Sequence, residues 1–283
     1  MEWTDDAIVL SSRPFGDTAA LVVALTREHG RHAGVLNGGQ SQRYRGVLEP
    51  GAQVAVRWRA RTADQLGTWT VEPVRSPAGL YLDDPLRLAA IVAAAALMDA
   101  VLAEREAHPG LYDATLALFQ ALDLDIWPAI YVRWEVGLLE EVGFGLDLTQ
   151  CASTGQPVGN PNDQLAYVSP RTGRAVSLSA GEPYRDKLLP LPGFLIGLGF
   201  QGGGEEDVAA GLRLTGYFLE RHVFAQRHAE VPPARQRLEE RYLRAHGLPA
   251  PAGGGRSRRN PKFPTGCTTS GNRPTISGSV RPS

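Results

Sequence analysis

Apolar and polar residues change rhythm once along this chain, near residue 79. Before that point, five runs, DAIVLSSRPF (6–15), TAALVVALTR (18–27), HGRHAGVLN (29–37), QVAVRWRAR (53–61) and GTWTVEPVRS (67–76), are rich in Val, Thr, Trp and Leu. Gly, Asp and Pro turn signals separate them, so they read as strands. Five short strands within so little chain predict a small barrel. In the fourth run Val54, Val56, Trp58 and Ala60 alternate with Ala55, Arg57, Arg59 and Arg61. A period of two packs the first set, Trp58 included, and turns the arginines to the other face.

From residue 84 the spacing becomes helical. In LDDPLRLAAIVAAAALMDAVLAE, Asp84 is placed to cap a helix, Pro85 fits its first position, and the alanines that follow have high helix propensity. A second helix is predicted over 110–122. A third begins near Trp127, where Trp127, Ile130, Tyr131, Trp134, Leu138 and Val142 recur on one face until Gly143 and Gly145 stop it. The Gly, Pro, Ser and Asn content of 151–181 predicts an irregular excursion with room for a short hairpin and little core. Helical periodicity resumes over 205–228, with Glu205, Glu206 and Asp207 in the first turn and Arg221, His222, Arg227 and His228 near the end, as the helix dipole favours. A last helix is predicted over 234–246. The expected class is α+β: a five-stranded barrel over 1–78, a helical domain over 79–249 with the irregular insertion 151–181, and a disordered basic tail over 250–283.

Charge changes this picture locally. The net charge is −1, but the six basic residues after 249 leave 23 basic against 30 acidic residues before it, a net of −7. An anion site must therefore be local, and residues 31–61 offer one: Arg31, Arg43, Arg45, Arg57, Arg59 and Arg61 against the single acid Glu49. Small barrels bind single-stranded nucleic acid with cations on the backbone and aromatics under the bases. Tyr44 is the expected stacking side chain here, since the alternation buries Trp58. The competing reading is a solvated arginine face on an antiparallel strand.

Other chemistry is sparse. Cys151 and Cys267 belong to no C-x-x-C pair, so neither a disulfide framework nor a zinc site is expected, and no metal or cofactor. His29 and His32 read as surface histidines in a turn. No phosphate loop, nucleophile elbow or zinc-protease motif occurs, so the chain is not expected to be an enzyme. The first residues lack the layout of a secretory signal, and the longest apolar stretch is interrupted by Asp99, so a cytoplasmic protein without a membrane span is expected. On the third helix, Arg133 and Gly137 share a face beside Trp134 and Leu138, where a peptide carboxylate could meet a guanidinium.

The order of four segments, 6–39 (DAIVLSSRPFGDTAALVVALTREHGRHAGVLNGG), 131–151 (YVRWEVGLLEEVGFGLDLTQC), 166–176 (AYVSPRTGRAV) and 212–223 (LRLTGYFLERHV), resembles the RecO family of bacterial DNA-repair proteins. The element carried by Arg133, Leu139, Gly143, Phe144, Leu148 and Cys151 is distinctive in combination with the N-terminal one. The resemblance implies an OB-fold followed by a helical domain, and a nucleoid-associated recombination mediator rather than an enzyme. Such a protein binds single- and double-stranded DNA, anneals complementary strands, and acts with RecR to load RecA onto DNA covered by single-strand DNA-binding protein. It also implies that the OB-fold carries the DNA surface, matching Arg31, Arg43, Tyr44, Arg45, Arg57, Arg59 and Arg61. The helical domain would receive the acidic C-terminal tail of single-strand DNA-binding protein, at Arg133, Trp134, Gly137 and Leu138. An adaptor whose barrel holds a protein partner, with incidental DNA binding, is the alternative.

Two departures from the family pattern bear on these expectations. Zinc-bearing relatives carry two C-x-x-C pairs in the irregular segment, whereas here the first reads Cys151-Ala-Ser-Thr154 and the second region has no cysteine. Turn geometry and packing are expected to hold 151–181 instead. Gln40 and Gln42 stand where relatives often carry basic side chains.

Overall fold

The computed structural model describes residues 1–62, 65–160, 163–197 and 203–249. The segment 250–283, where a basic tail was expected and which contains Cys267, lies outside the described residues. Five strands, β1 (Glu2–Phe15), β2 (Ala19–Thr26), β3 (Gly30–Leu36), β4 (Gln53–Arg59) and β5 (Gly67–Arg75), close into an OB-like barrel in the order β1-β2-β3-β5-β4. β1 starts four residues earlier than the apolar run suggested, because its first half, Glu2–Ile8, pairs with β4 while its second half pairs with β2. A register shift in the pairing with β2, between Val9 and Ser11, bends the strand just past the point where its pairing with β4 ends.

The barrel interior holds Ala7, Val9, Val22, Val54, Val56, Trp58, Trp69 and Val71. Closure is made by a short parallel pairing of β3 with β5, Gly34 opposite Gly67. A Cβ on Gly67 would stand 2.2 Å from the Trp58 ring and one on Gly34 2.7 Å from Trp69 Nε1. The two glycines thus leave the space that lets both indoles lie inside. Each indole N–H donates to a backbone carbonyl, Trp58 to Ala33 (3.3 Å) and Trp69 to Val22 (3.2 Å).

The helical region follows the apolar periodicity closely. α1 (Pro85–Val101) is capped by Asp84, whose carboxylate accepts from the Leu86 and Arg87 amides. α2 (Pro109–Ala121) and α3 (Trp127–Glu141) follow, and Gly143, at φ +86°, ends the third helix. Ile8, Leu10 and Leu25, on the outside of the barrel, join the core formed by these helices.

The insertion contains the short hairpin expected, but it departs from the expectation of little core. β6 (Leu165–Val168) pairs with β7 (Ala175–Ser177) and, after a single turn of helix, α4 (Leu178–Gly181), with β8 (Leu189–Pro190). Leu165, Val168, Ala175 and Cys151 are buried in the main helical core, so the segment is part of that core. Its apolar residues arrive one or two at a time from strands of two to four residues, too short for a sequence window to show a period.

The helix predicted over 205–228 is α-helical only as α5 (Glu205–Phe218). It widens to a π-helix over Leu219–Phe224 and ends in a 3-10 turn before left-handed His228. The wider turn keeps Leu219, Val223 and Phe224 all buried. α6 (Pro233–Ala245) closes the region. Among the described residues no helix is long and apolar enough to cross a membrane.

At the centre of α3, α5 and α6 lies a charged cluster. Arg235 donates to Glu135 through Nε (2.5 Å) and Nη2 (3.0 Å), to Glu239 through Nη1 (2.9 Å), and to the Leu212 carbonyl (2.6 Å). The Thr215 hydroxyl also donates to Glu135. Burial opposes the charge on Arg235, but the Glu135 carboxylate overrides it and raises the guanidinium pKa.

Candidate nucleic-acid interface

The barrel has two ends, and the sequence-predicted arginines divide between them. One end is closed by the β3–β4 connection, residues 37–52. Gln40 docks it on the β1–β2 turn, donating from Nε2 to the Gly16 (2.9 Å) and Ala19 (2.8 Å) carbonyls while its amide donates to Thr18 (3.0 Å). A 3-10 turn, Gln42–Tyr44, then carries Arg43 and Arg45 outward. Tyr44 is half-buried against the barrel interior, with the Arg43 guanidinium 5.4 Å from its ring centroid. Its ring is partly spent as a plug, which corrects the expectation of a freely offered stacking side chain.

The same end presents two residues that the run-by-run reading passed over. Ser12 and Pro14 pair with Val22 and Ala20, whose side chains point into the barrel, so Arg13 and Phe15 face outward. Phe15 is 47% exposed. The signal was present in the parity of β1 after its register shift, which the sequence alone did not reveal. Among the described residues none of Arg13, Arg43 and Arg45 pairs with a carboxylate, and the local acids Asp17 and Glu49 stand in no ion pair.

Arg57 and Arg59 lie on the outer face of β4, as the alternation predicted, and Arg61 follows the strand end, exposed. This face is mixed in charge. Arg59 lies opposite Glu2, and Glu2 Oε1 is 3.7 Å from Arg57 Nη1. At about 3.3 Å per residue, Arg59 is about 20 Å along β4 from the loop side at Gln53.

Arg31 belongs to neither group. Its guanidinium pairs with Asp99 of α1 (2.8 Å), which also accepts from Ser11 (2.8 Å), while the Arg105 amide donates to the Arg31 carbonyl (2.8 Å). It ties the barrel to the helices and stands apart from the open arginines.

His29 and His32 also differ from expectation. His29 stacks on Trp3 with ring centroids 4.0 Å apart and bonds Asp5 (2.9 Å). His32 is a strand residue, buried edge-on to Trp3 and Trp58. Burial lowers its pKa below the ordinary 6.5, the nearby Arg105 charge acting in the same direction. Between the two values the unfolded chain holds more proton than the folded one. This contribution to stability is therefore full above pH 6.5 and is lost as pH falls through the depressed value. Urea unfolding at pH 7.5 and 5.5 should show a smaller acid loss in His32→Leu than in the parent chain; equal losses would contradict the assignment.

On α3 the predicted peptide site comes apart. Arg133 and Gly137 are exposed, and Arg133 Nη1 donates to the Phe194 carbonyl (3.1 Å), but Trp134 and Leu138 point into the core, Trp134 bonded to Thr115 (3.0 Å). Residues i and i+1 on a helix are turned about 100° apart, so the apolar pair cannot line a groove beside the arginine.

The profile described as "Recombination protein O N terminal" matches residues 1–77, and "Recombination protein O C terminal" matches 82–230. The chain belongs to the RecO family. Among its relatives is the DNA repair protein RecO of Rhodospirillum centenum, 66% identical over 246 residues that span 87% of this chain and 96% of that one. The RecO of Caulobacter vibrioides is 52% identical over 250 residues, spanning 88% of this chain and all of the relative. That of Phenylobacterium zucineum is likewise 52% identical, over 251 residues.

Around Cys151 the residues of this chain do not suit a metal. Cys151 Sγ accepts from the Ser177 amide (3.3 Å) and lies 3.6 Å from its hydroxyl, with Thr154 where a second thiolate would stand. One thiol between two hydroxyls lacks the donors of a structural zinc site. Burial alone would push the thiol up, but donors from Thr154 and Ser177 bring it to about 6. Hydrogen bonds join Cys151 to Thr154 and Ser177 on either side of it. Among the described residues no cluster of three His, Cys, Asp or Glu side chains is arranged to hold a metal ion.

Proposed function

We propose that this RecO-family chain binds single- and double-stranded DNA, anneals complementary strands, and acts with RecR to load RecA onto DNA coated with single-strand DNA-binding protein. Residues 1–78 provide the DNA surface and residues 79–249 a helical domain that receives the tail of single-strand DNA-binding protein, with no covalent chemistry by the chain. The observation that carries the reading is the loop end of the barrel. There Arg13, Arg43 and Arg45, unpaired with any carboxylate among the described residues, share the loop end with exposed Phe15 and half-buried Tyr44, and outnumber the local acids Asp17 and Glu49. Guanidinium groups that no protein acid neutralises are free to bind phosphates, and an exposed ring beside them offers a face to a base. Arg57, Arg59 and Arg61 extend the path along β4, more weakly because Glu2 shares that face.

Four or five arginine contacts to a single strand set a slope of about −3 for the logarithm of affinity against the logarithm of salt concentration. Fluorescence anisotropy of a labelled oligothymidylate across a salt series measures it. A slope near zero, with the chain folded, would leave the arginines as a solvated surface and favour the adaptor reading.

A further inference from the structure

α1 carries only two charged side chains, Arg87 and Asp99, in seventeen residues. A helix that is apolar nearly all round is normally covered all round. Its inner face is: Ala90, Ile91, Ala94, Leu97, Met98 and Val101 are buried. The face formed by Leu88, Val92, Ala96 and Ala100, spaced by four, is left partly open. It forms the floor of two hollows. One, of about 420 Å³, is walled by Leu10, Ser11 and Pro50; the other, of about 180 Å³, by Ala234, Arg237 and Arg241 of α6. Val92 lines both, so they meet at this side chain.

The two ends differ in charge. At the barrel end Arg31 is closed on Asp99, which neutralises both. At the α6 end Arg237 and Arg241 stand one helical turn apart, and neither pairs with a carboxylate among the described residues. Arg241 donates to the Pro85 carbonyl (3.0 Å), which orients it along the rim.

We propose that this groove docks an acidic amphipathic helix of a protein partner. Leu88 to Ala100 spans about 18 Å at 1.5 Å per residue, enough for about three turns. Apolar side chains of the partner would cover Leu88, Val92 and Ala96, and carboxylates one turn apart at one end would meet Arg237 and Arg241. The chain's own segment after 249 has six basic residues and no acid, so its charge is wrong for this rim. A nucleic-acid strand fits less well, because phosphates would meet Arg237 and Arg241 at one end only, while Leu88, Val92 and Ala96 along the floor offer them no donor.

The test uses the full chain and two fluorescein-labelled three-turn helical peptides with the same Leu and Ala face. One carries a pair of glutamates a turn apart at one end, the other lysines in their place. The glutamate peptide should bind saturably, and the lysine peptide at least tenfold more weakly. Val92→Glu, and separately Arg237→Glu with Arg241→Glu, should each weaken the glutamate peptide at least tenfold. Both variants should keep the parent's oligothymidylate affinity and melting temperature. The arginine variant alters only surface groups, so it keeps the test valid should Val92→Glu fail to fold. Absence of saturable binding, or binding indifferent to the arginine variant, would overturn the proposal. So would displacement of the peptide by oligothymidylate, which would make the groove a nucleic-acid site. A concentration-dependent dimer in sedimentation that Val92→Glu abolishes would also overturn it, by assigning the face to a second copy.

Discussion

Replacing Arg235 by methionine is expected to lower the unfolding free energy by about 3–5 kcal/mol, the cost of leaving a buried carboxylate without its cation. Glu135 and Arg235 are both almost wholly removed from water, and Glu135 has no other cation in ion-pair distance among the described residues. The pair joins α3 to α6, and the Thr215 hydroxyl of α5 completes it, so its loss loosens three helices together. A net gain from forming the pair is not what makes it matter, because desolvation cancels much of its attraction; the penalty comes from breaking one half. Urea denaturation should therefore show Arg235→Met far less stable than the parent. The double variant Arg235→Met with Glu135→Leu should recover most of the loss. If the double variant were as unstable as the single one, the cost would lie in lost packing rather than in an uncompensated charge.

Reversing the charge of Arg43 and Arg45 together is the change expected to damage DNA binding most. Both side chains are exposed on a turn that Gln40 docks independently of them, so the fold should be unaffected. Removing two phosphate contacts should weaken oligothymidylate binding by more than tenfold at low salt and reduce the slope against salt by about 1.4, since each single-strand contact contributes about 0.7. The same reversal at Arg57 and Arg59 should do less, because Glu2 already offsets that face. Anisotropy titrations of the two double variants side by side measure the difference. An equal or larger loss from the β4 variant would move the DNA path to the middle of the strand.

The elements of this fold were legible in the sequence where a local period governed them. α1, α2, α3 and α6 lie within a residue or two of the apolar spacing that predicted them, and the strands fall on the five runs. The alternation in β4 correctly sorted Trp58 inward and Arg57 outward. What the sequence did not show depends on contacts between distant segments. The core contributions of Cys151, Leu165 and Ala175 come from a loop and from strands of three or four residues, too short to show a period. Arg31 is engaged by a carboxylate 68 residues away, so a charge census counted it with the open arginines. Phe15 and Arg13 emerged as surface residues only through the shifted register of β1. Trp134 and Leu138 were grouped with Arg133 by nearness along the helix, whereas the helix turns them about 100° away from it, into the core.

We propose that the loop end of the barrel brings complementary DNA strands together. The most direct measurement is the annealing rate of complementary oligonucleotides precoated with single-strand DNA-binding protein, with the parent chain and with the Arg43→Glu, Arg45→Glu variant, at low and high salt. Annealing by the parent should slow steeply with salt, and the variant should stay folded but anneal little faster than the uncatalysed strands. Annealing by the variant at the parent's rate, or none by the folded parent at any salt, would contradict it.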